Sequence, residues 1–189
     1  MYGVFIYICI FAVEVCGQVV EQVDAGRKLQ IYEELATKDM LTKLYNRNAY
    51  DEWIKVNRRP EKAKIIIFDL NNLKQCNDTM GHAAGDTYIQ NAAQIILHVF
   101  GNCGNCYRIG GDEFCVVIQG NDHSDMEDLF RHMRQEQDEF NAKNAIPQIQ
   151  IAYGYAEFDP ETDRDIEDTR SRADDKMYQK KREIKAGYQ

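Results

Sequence analysis

Two acidic positions in the sequence stand where carboxylates could hold a metal ion. Asp69 lies at the end of the apolar run Ala63–Leu70, and Asp112 and Glu113 directly follow the pair Gly110–Gly111. Carboxylates on neighbouring strands can bind Mg²⁺ for phosphoryl transfer, because the metal neutralises phosphate charge and lowers the pKa of an attacking hydroxyl. Taken alone, either group could equally be a solvated charge at a strand end. The chemistry therefore depends on whether the fold brings the two groups together.

The elements that must position these groups alternate between helix and strand. Helical patterns cover Arg47–Val56, Asp86–Phe100, Ser124–Asn141 (with Ser124 as the N-cap) and Asp163–Ile184, and strand patterns cover Ala63–Leu70, Tyr107–Ile109, Phe114–Ile118 and Pro147–Phe158. The order α-β-α-β-β-α-β-α predicts an α+β fold with a ferredoxin-like βαββαβ core, an antiparallel sheet and extra helices, as in polymerase palms and nucleotide cyclases. In that topology the first strand lies beside the third, so Asp69 and the glycine pair meet at one edge. The pair also predicts a hairpin turn, since glycine accepts a positive φ.

Composition limits the classes of partner. The 189 residues carry 23 Lys and Arg against 31 Asp and Glu, a net charge of −8. An acidic chain repels the phosphate backbone, which excludes non-specific nucleic-acid binding as the expected function but leaves a nucleotide ligand open. Six cysteines spread along a chain of this length indicate reduced, apolar side chains. Cys103 and Cys106 have the spacing of a redox pair or half a zinc site, but the sequence has no second such pair.

The N-terminal segment has two interpretations that the sequence leaves open. Residues 2–13 are almost wholly apolar, shorter than the roughly 18 residues that cross a bilayer, and no Lys or Arg precedes them. Residues 1–17 are therefore either the inner end of a transmembrane helix or a buried strand of an upstream domain. Residues 18–38 contain no proline and predict a helix with a weak coiled-coil pattern, as either a connecting helix or an ordinary amphipathic helix would show. The third predicted unit is a domain over residues 39–189.

Within residues 39–189, ordered motifs resemble a known family. The segments Phe68–Asp86 (FDLNNLKQCNDTMGHAAGD) and Arg108–Phe114 (RIGGDEF) strongly resemble the GGDEF family of diguanylate cyclases, and Asp39–Arg47 (DMLTKLYNR) is similar to that family's opening signature. Ile151–Gly154 and Ala173–Tyr178 match its later strand and last helix more loosely. Five motifs in order and at compatible spacings carry the resemblance, which spans residues 39 to 185.

The resemblance implies a reaction. It implies condensation of two GTP molecules to cyclic di-GMP with release of two pyrophosphates, with Mg²⁺ (or Mn²⁺) as cofactor. Each domain would hold one GTP, so the implied partners are GTP and a second copy of the domain. The catalytic domain would be cytoplasmic, and residues 2–16 leave open an attachment to the inner face of the cell membrane.

The resemblance also implies roles for individual residues. Asp69, the carbonyl of Leu70 and Asp112 would bind the metal; Asp112 would accept the proton of the 3′-hydroxyl, with Glu113 in support, and Lys74 would stabilise phosphate charge. The implied substrate-binding residues contact guanine, allow a phosphate to approach the backbone closely, or place positive charge beside the triphosphate. They are Asn77, His82, Asp86, Gly110, Gly111, Lys181 and Lys185.

The sequence departs from the family at several positions. Asn71 stands where the family usually has an acid, Leu73 where it has Phe, and Lys185 where it has Arg. The segment Gly101–Gly104 lacks the Arg-x-x-Asp motif with which many of these cyclases bind their product. We therefore expect no product inhibition through this segment. An inactive GTP-binding regulatory domain and a cyclic di-GMP receptor are the alternatives to an active cyclase.

Overall fold

The N-terminal unit is a single helix. The computed structural model describes residues 2–120, 124–143 and 148–186, and the chain divides into two units between Thr37 and Lys38. The first unit is α1 (Tyr2–Thr37), which confirms the helix predicted from residue 18 and continues it back to Tyr2. The alternative of a buried strand over residues 2–13 is wrong. Among the described residues, none of the helices has the length and apolar run required to cross a membrane.

The second unit combines five helices and four strands in the part of the chain that the structure describes. In chain order they are α2 (Arg47–Val56), β1 (Ala63–Leu70), α3 (Leu73–Met80), α4 (His82–Phe100), β2 (Asn105–Arg108), β3 (Glu113–Gln119), α5 (Met126–Lys143), β4 (Ile151–Glu157) and α6 (Ile166–Ala186). The strands form one sheet in the order β2-β3-β1-β4, and all three neighbouring pairs are antiparallel. This order confirms the predicted ferredoxin-like α+β fold, with the first strand beside the third.

Two hydrophobic layers fix the sheet between helices. Alternate residues of β1 enter opposite layers: Ile66 and Phe68 pack with residues of α4 and α5, whereas Ile65 and Ile67 pack with residues of α2 and α6. This two-sided burial explains why β1 is a nearly continuous apolar run. Asp69 has the same parity as Ile65 and Ile67, so it lies on the face that α6 covers.

Gly154 lets α6 approach the sheet closely. A Cβ atom at Gly154 would lie 2.2 Å from the backbone nitrogen of Met177 and 2.4 Å from the backbone carbonyl oxygen of Ala173. Backbone therefore packs on backbone at this contact between β4 and α6, which sets the height of α6 above the end of β1.

Helix α3 was not predicted. The segment Leu73–Met80 has only Leu73 and Cys76 as apolar residues facing the core, which is too short a pattern to distinguish from a loop. Gly81, with φ of 86°, separates α3 from α4, which begins at His82 rather than at the predicted Asp86. This positive φ, with ψ of 165°, is readily adopted by glycine, and it ends one helix and redirects the chain into the next.

Strand β2 lies at Asn105–Arg108 rather than at 107–109, and further predicted boundaries also need correction. Helix α5 begins at Met126 rather than at Ser124, and the Asp125 carboxylate accepts the backbone N–H of Glu127 at 2.9 Å. Helix α6 begins at Ile166 rather than at Asp163, because residues 159–163 form a turn. Strand β4 begins at Ile151, and the predicted start at Pro147 lies outside the described residues.

Candidate active site

The register of β1 and β3 brings the acidic groups together. Asp69 lies directly opposite Glu113, and the backbone N–H of Leu70 donates to the carbonyl oxygen of Asp112 at 3.0 Å. We call Asp69, Leu70, Asp112 and Glu113 the carboxylate edge. Asp69 is buried, Asp112 is half-buried and Glu113 is exposed. The predicted convergence of these groups at one edge of the sheet is confirmed.

The loop before Glu113 differs from a positive-φ glycine hairpin. The backbone N–H groups of Ile109 and Gly110 both donate to the carbonyl oxygen of Glu113, at 3.0 and 3.2 Å. Gly81 and Gly120 are the glycines with positive φ among the described residues, so the expectation of positive φ at Gly110 and Gly111 is wrong. A Cβ atom at Gly111 would meet nothing within 4 Å, which leaves open space beside the backbone there.

Lys181 of α6 contacts the carboxylate edge directly. Its Nζ lies 2.5 Å from Oδ1 of Asp69, and the two side chains are 24% and 8% exposed. An open cleft of about 460 Å³ contains this lysine, and its other lining residues come from the end of β1, from α3 and from the β2–β3 loop: Leu70, Asn71, Asn72, Leu73, Lys74, Gln75, Asp78 and Asp112. Lys74 is exposed on α3. Lys185 belongs to α6, but its side chain lies outside the described residues.

The remaining predicted residues lie where α3 meets α4. We call Asn77, Gly81, His82, Gly85 and Asp86 the base turn. His82 and Asp86 are exposed in the first turns of α4, and Asn77 is half-buried on α3. The Asn77 carboxamide lies over Gly85, where a Cβ atom would be 1.9 Å from Oδ1 of Asn77. The structure thus gathers a carboxylate, an amide and an imidazole on one short, accessible segment.

Comparison with known proteins identifies the family. The sequence model described as "Diguanylate cyclase, GGDEF domain" matches residues 36–186, most of the chain. The chain belongs to the GGDEF family of diguanylate cyclases. The diguanylate cyclase DgcS of Shewanella oneidensis is 36% identical over 101 residues, which cover 49% of this chain and 34% of that protein. DgcP of Escherichia coli is 30% identical over 154 residues, which cover 76% of this chain and 44% of that protein. The chain thus spans less than half the length of either relative.

Solved structures show the same fold. The coiled coil and GGDEF domain of DgcB from Caulobacter crescentus, in complex with c-di-GMP, gives a TM-score of 0.72 at 22% identity and covers 91% of this chain and 94% of that one. The diguanylate cyclase SiaD of Pseudomonas aeruginosa, in complex with its activator SiaC, gives 0.65 at 21% identity and covers 92% and 70%. At these identities the likeness establishes the fold alone.

Sequence reasoning missed a polar connection that supports the GGDEF loop. Arg108 donates from Nη1 to Oδ1 of Asp39 at 3.1 Å and from Nη2 to the carbonyl oxygen of Gly111 at 2.9 Å. The Asp39 carboxylate also accepts the backbone N–H and the hydroxyl of Thr42, at 2.8 and 2.7 Å. Burial raises the pKa of Asp39, but the hydrogen bonds from Thr42 and Arg108 outweigh it and hold that pKa below its usual value. Both residues lie in the quoted motifs, so pairing opposite charges between motifs was the available signal.

Asn71 is a second residue that the sequence did not place. Its side chain is buried, with 2% of the residue exposed, and neither Oδ1 nor Nδ2 has a hydrogen-bond partner among the described residues. Its backbone, by contrast, is fully used: the N–H donates to the carbonyl oxygen of Gln150 at 2.9 Å, and its own carbonyl accepts the Tyr88 hydroxyl at 2.8 Å. An unpaired buried amide beside the carboxylate edge costs free energy that a ligand or water could recover.

The donor set of the carboxylate edge fits a hard divalent cation. Asp69 and Asp112 supply carboxylate oxygens, and the backbone between their strands is held in register by the Leu70 N–H bond to Asp112. Over residues 2–120, 124–143 and 148–186, no cluster of three or more His, Cys, Asp and Glu side chains is present, and the implied set needs two carboxylates plus the Leu70 carbonyl. Cys103 and Cys106 are not joined in a disulfide, and burial raises the pKa of Cys106 to about 12, which disfavours a reactive thiolate.

Proposed function

We propose that this GGDEF domain is an active diguanylate cyclase. It joins two GTP molecules into cyclic di-GMP and releases two pyrophosphates. The observation that carries the proposal is the carboxylate edge, where strand register holds Asp69 opposite Glu113 and Asp112 beside Leu70. Two carboxylates aligned beside a cleft that contains two lysines suit metal-assisted phosphoryl transfer.

Each half of the reaction forms one phosphodiester bond. The 3′-oxygen of one GTP attacks the α-phosphorus of the other, the bond from that phosphorus to the bridging oxygen of the β-phosphate breaks, and pyrophosphate leaves. The proton of the 3′-hydroxyl passes to the Asp112 carboxylate, which Glu113 supports. Lys74, exposed on α3 at the same cleft, stabilises charge on the phosphates. Repeating the step with the roles of the two nucleotides exchanged closes the ring.

A divalent metal ion, Mg²⁺ or Mn²⁺, completes the carboxylate edge. Asp69, the carbonyl of Leu70 and Asp112 are the residues that would hold it. The ion would neutralise phosphate charge and lower the pKa of the attacking hydroxyl.

The base turn selects guanine. Asp86 can accept hydrogen bonds from the N1–H and N2–H donors of guanine, Asn77 can bond another base edge, and His82 adds a polar contact from the start of α4. Adenine lacks this pair of donors, so it would leave the Asp86 carboxylate unpaired. Gly111 has open space beside its backbone, which suits a closely approaching phosphate.

Mass spectrometry of the reaction products tests the proposal. The full chain is incubated with GTP and Mg²⁺, and nucleotide binding is followed in parallel by calorimetry. We expect cyclic di-GMP and pyrophosphate in a 1:2 ratio. Binding of GTP without any product would overturn the proposal in favour of the inactive regulatory domain. Tight binding of cyclic di-GMP with neither GTP binding nor product would favour the receptor.

A further inference from the structure

The buried carboxylate of Asp69 already has a counter-charge. Its side chain is 8% exposed, and Nζ of Lys181 lies 2.5 Å from its Oδ1. A buried carboxylate without a partner is strongly unfavourable, so Lys181 makes the ionised Asp69 tolerable in this state of the protein. Lys181 therefore stabilises the charge of Asp69, in addition to any contact that it makes with phosphate.

The same carboxylate belongs to the edge that fits a divalent cation. A bound Mg²⁺ would lie about 2.1 Å from its ligand oxygens. An ammonium group in contact with the same carboxylate would then lie within a few ångströms of the metal, and the two cations would repel each other in a poorly solvated site. The ammonium contact and the metal thus compete for Asp69.

Lys181 has an alternative partner when a nucleotide binds. It lines the same cleft as Lys74 and Asp112, into which the triphosphate would bind under the proposed function. Its four-carbon stem is flexible, and an ammonium group pairs with phosphate oxygens as readily as with a carboxylate. Moving Nζ from Asp69 to the phosphates would free the carboxylate and neutralise the ligand at once.

We propose that the Lys181 ammonium group pairs with Asp69 when the site is empty, and that it moves to the phosphates when metal and nucleotide bind together. This inference rests on the proposed nucleotide site. Its consequence is that metal alone binds weakly, because it must displace Lys181 without giving the ammonium a new partner. Nucleotide and metal each raise the affinity of the other by the same factor, as linkage requires.

Replacing Lys181 by methionine should change the affinities for metal and for nucleotide in opposite directions. Lys181→Met removes the competitor of the metal and also a phosphate contact. Without nucleotide, we expect this variant to bind Mn²⁺ about tenfold more tightly than the wild type. We expect it to bind a GTP analogue with a methylene group between the α- and β-phosphates about tenfold more weakly. A lysine that only contacts phosphate would weaken the analogue and leave the affinity for metal unchanged.

Two controls separate the local effect from general charge. Lys180 is the neighbouring lysine on α6, and its Nζ pairs with Glu183 at 3.1 Å. Lys180→Met removes the same charge from the same helix, so we expect it to bind Mn²⁺ and the analogue as the wild type does. In the double variant Asp69→Asn with Lys181→Met, the gain in Mn²⁺ affinity should disappear, because the gain acts through Asp69.

The measurement is a titration of Mn²⁺ followed by the electron paramagnetic resonance signal of the free ion, with no nucleotide present. Calorimetry with the analogue provides the second affinity. The inference is overturned if Lys181→Met binds Mn²⁺ no more tightly than the wild type, or if the gain persists in the double variant.

If Lys181→Met is too unstable to titrate, Lys181→Arg replaces it. Because Arg keeps the charge and can form two hydrogen bonds to Asp69, its Mn²⁺ affinity must be no higher than that of the wild type, and a higher affinity overturns the inference. None of these readouts needs turnover, so failure of the proposed function would appear separately, as absence of cyclic di-GMP from the wild type.

Discussion

The carboxylate edge and the base turn are built by different means. The carboxylate edge joins residues more than forty positions apart in the sequence, and it depends on the register of β1 and β3, on the cover of α6 and on the ion pair from Lys181. The base turn occupies a single stretch of ten residues, at which Gly81 with φ of 86° redirects the chain between two helices. The carboxylate edge depends on tertiary structure, whereas the base turn is formed by residues that are neighbours in the sequence.

Under the proposed function, this difference separates the residues that would take part in the reaction from those that would recognise the base. Asp69 is buried and charge-paired, so its position is set before any ligand binds. His82 and Asp86 are exposed and can adjust to a base at little cost to the rest of the structure. We therefore expect changes at the carboxylate edge to affect rate most, and changes at the base turn to affect affinity and nucleotide choice.

Asp112→Asn should have the largest effect. It keeps the size of the side chain but removes the proposed proton acceptor and one charge of the proposed metal site, so we expect the rate of cyclic di-GMP formation to fall on the order of 100-fold or more. Asp128→Asn, at a half-exposed acid on α5 that pairs with Arg131, is the matched control and should keep full activity. Steady-state product formation measures both. If Asp112→Asn keeps more than about a tenth of the wild-type rate, its assigned role is wrong.

Asp86→Asn should change which nucleotide binds. A carboxylate can accept both hydrogen bonds that guanine offers, whereas an amide has a single acceptor oxygen. We therefore expect the affinity for a GTP analogue to fall about tenfold or more. The preference for this analogue over the corresponding ATP analogue should fall with it. Calorimetry with both analogues gives the ratio of affinities. Asp51→Asn on α2, a half-exposed carboxylate near Arg47, serves as the control. Equal affinities of the wild type for the two analogues would contradict the assignment of the base turn.

Gly85→Ala should weaken binding without unfolding the domain. The new Cβ would lie 1.9 Å from Oδ1 of Asn77, so the carboxamide must swing away from its place in the base turn. Because a side-chain tip can move, we expect a several-fold loss of GTP-analogue affinity with little change in the free energy of unfolding. Gly154→Ala is the contrasting variant, since its Cβ would meet the backbone of Met177 at 2.2 Å.

Urea unfolding and calorimetry compare these two glycine variants. Backbone at the β4–α6 contact cannot move aside, so we expect Gly154→Ala to lower the free energy of unfolding by about 1–3 kcal/mol. Equal losses of stability in the two variants would show that packing constrains the base turn as tightly as the sheet. This would contradict the view that the base turn is a local feature.

Asp39→Asn should have the smallest effect, visible as a pH dependence of stability. The pKa of Asp39 is lowered in the folded state, so its hydrogen bonds from Thr42 and Arg108 contribute fully at neutral pH and are lost as the pH falls below about 4. We expect the variant to be less stable than the wild type at pH 7, by about 1 kcal/mol, and this difference to shrink at pH 3.5. Urea unfolding at the two pH values measures it. A difference that stays constant or grows on acidification would contradict the pKa direction.

The sequence predicted the sheet better than the helical region beside it. Strand β1 was located to the residue, because six of its eight residues are apolar and a strand buried on both faces leaves a strong pattern. The convergence of Asp69 with Asp112 then followed from the topology. Helix α3 was missed because two apolar residues, Leu73 and Cys76, are too few to define a helical period. The pattern of apolar residues also did not indicate that Gly81 adopts a positive φ between two helices.

The pairings within the site could not be predicted from the sequence. That Lys181 contacts Asp69 depends on how closely α6 packs on β4 at Gly154, which is a property of the tertiary structure. The same holds for the Arg108 contact with Asp39 and for the unpaired amide of Asn71, whose burial no local pattern indicates.

We propose that each of two copies of the domain holds one GTP, and this is tested most directly by the rate of cyclic di-GMP formation as a function of protein concentration. At saturating GTP and Mg²⁺, the rate per chain should rise with concentration and level off as dimers saturate. Light scattering on the same samples should show the dimer forming over the same range. A rate per chain that stays constant while the protein remains a monomer would contradict the claim.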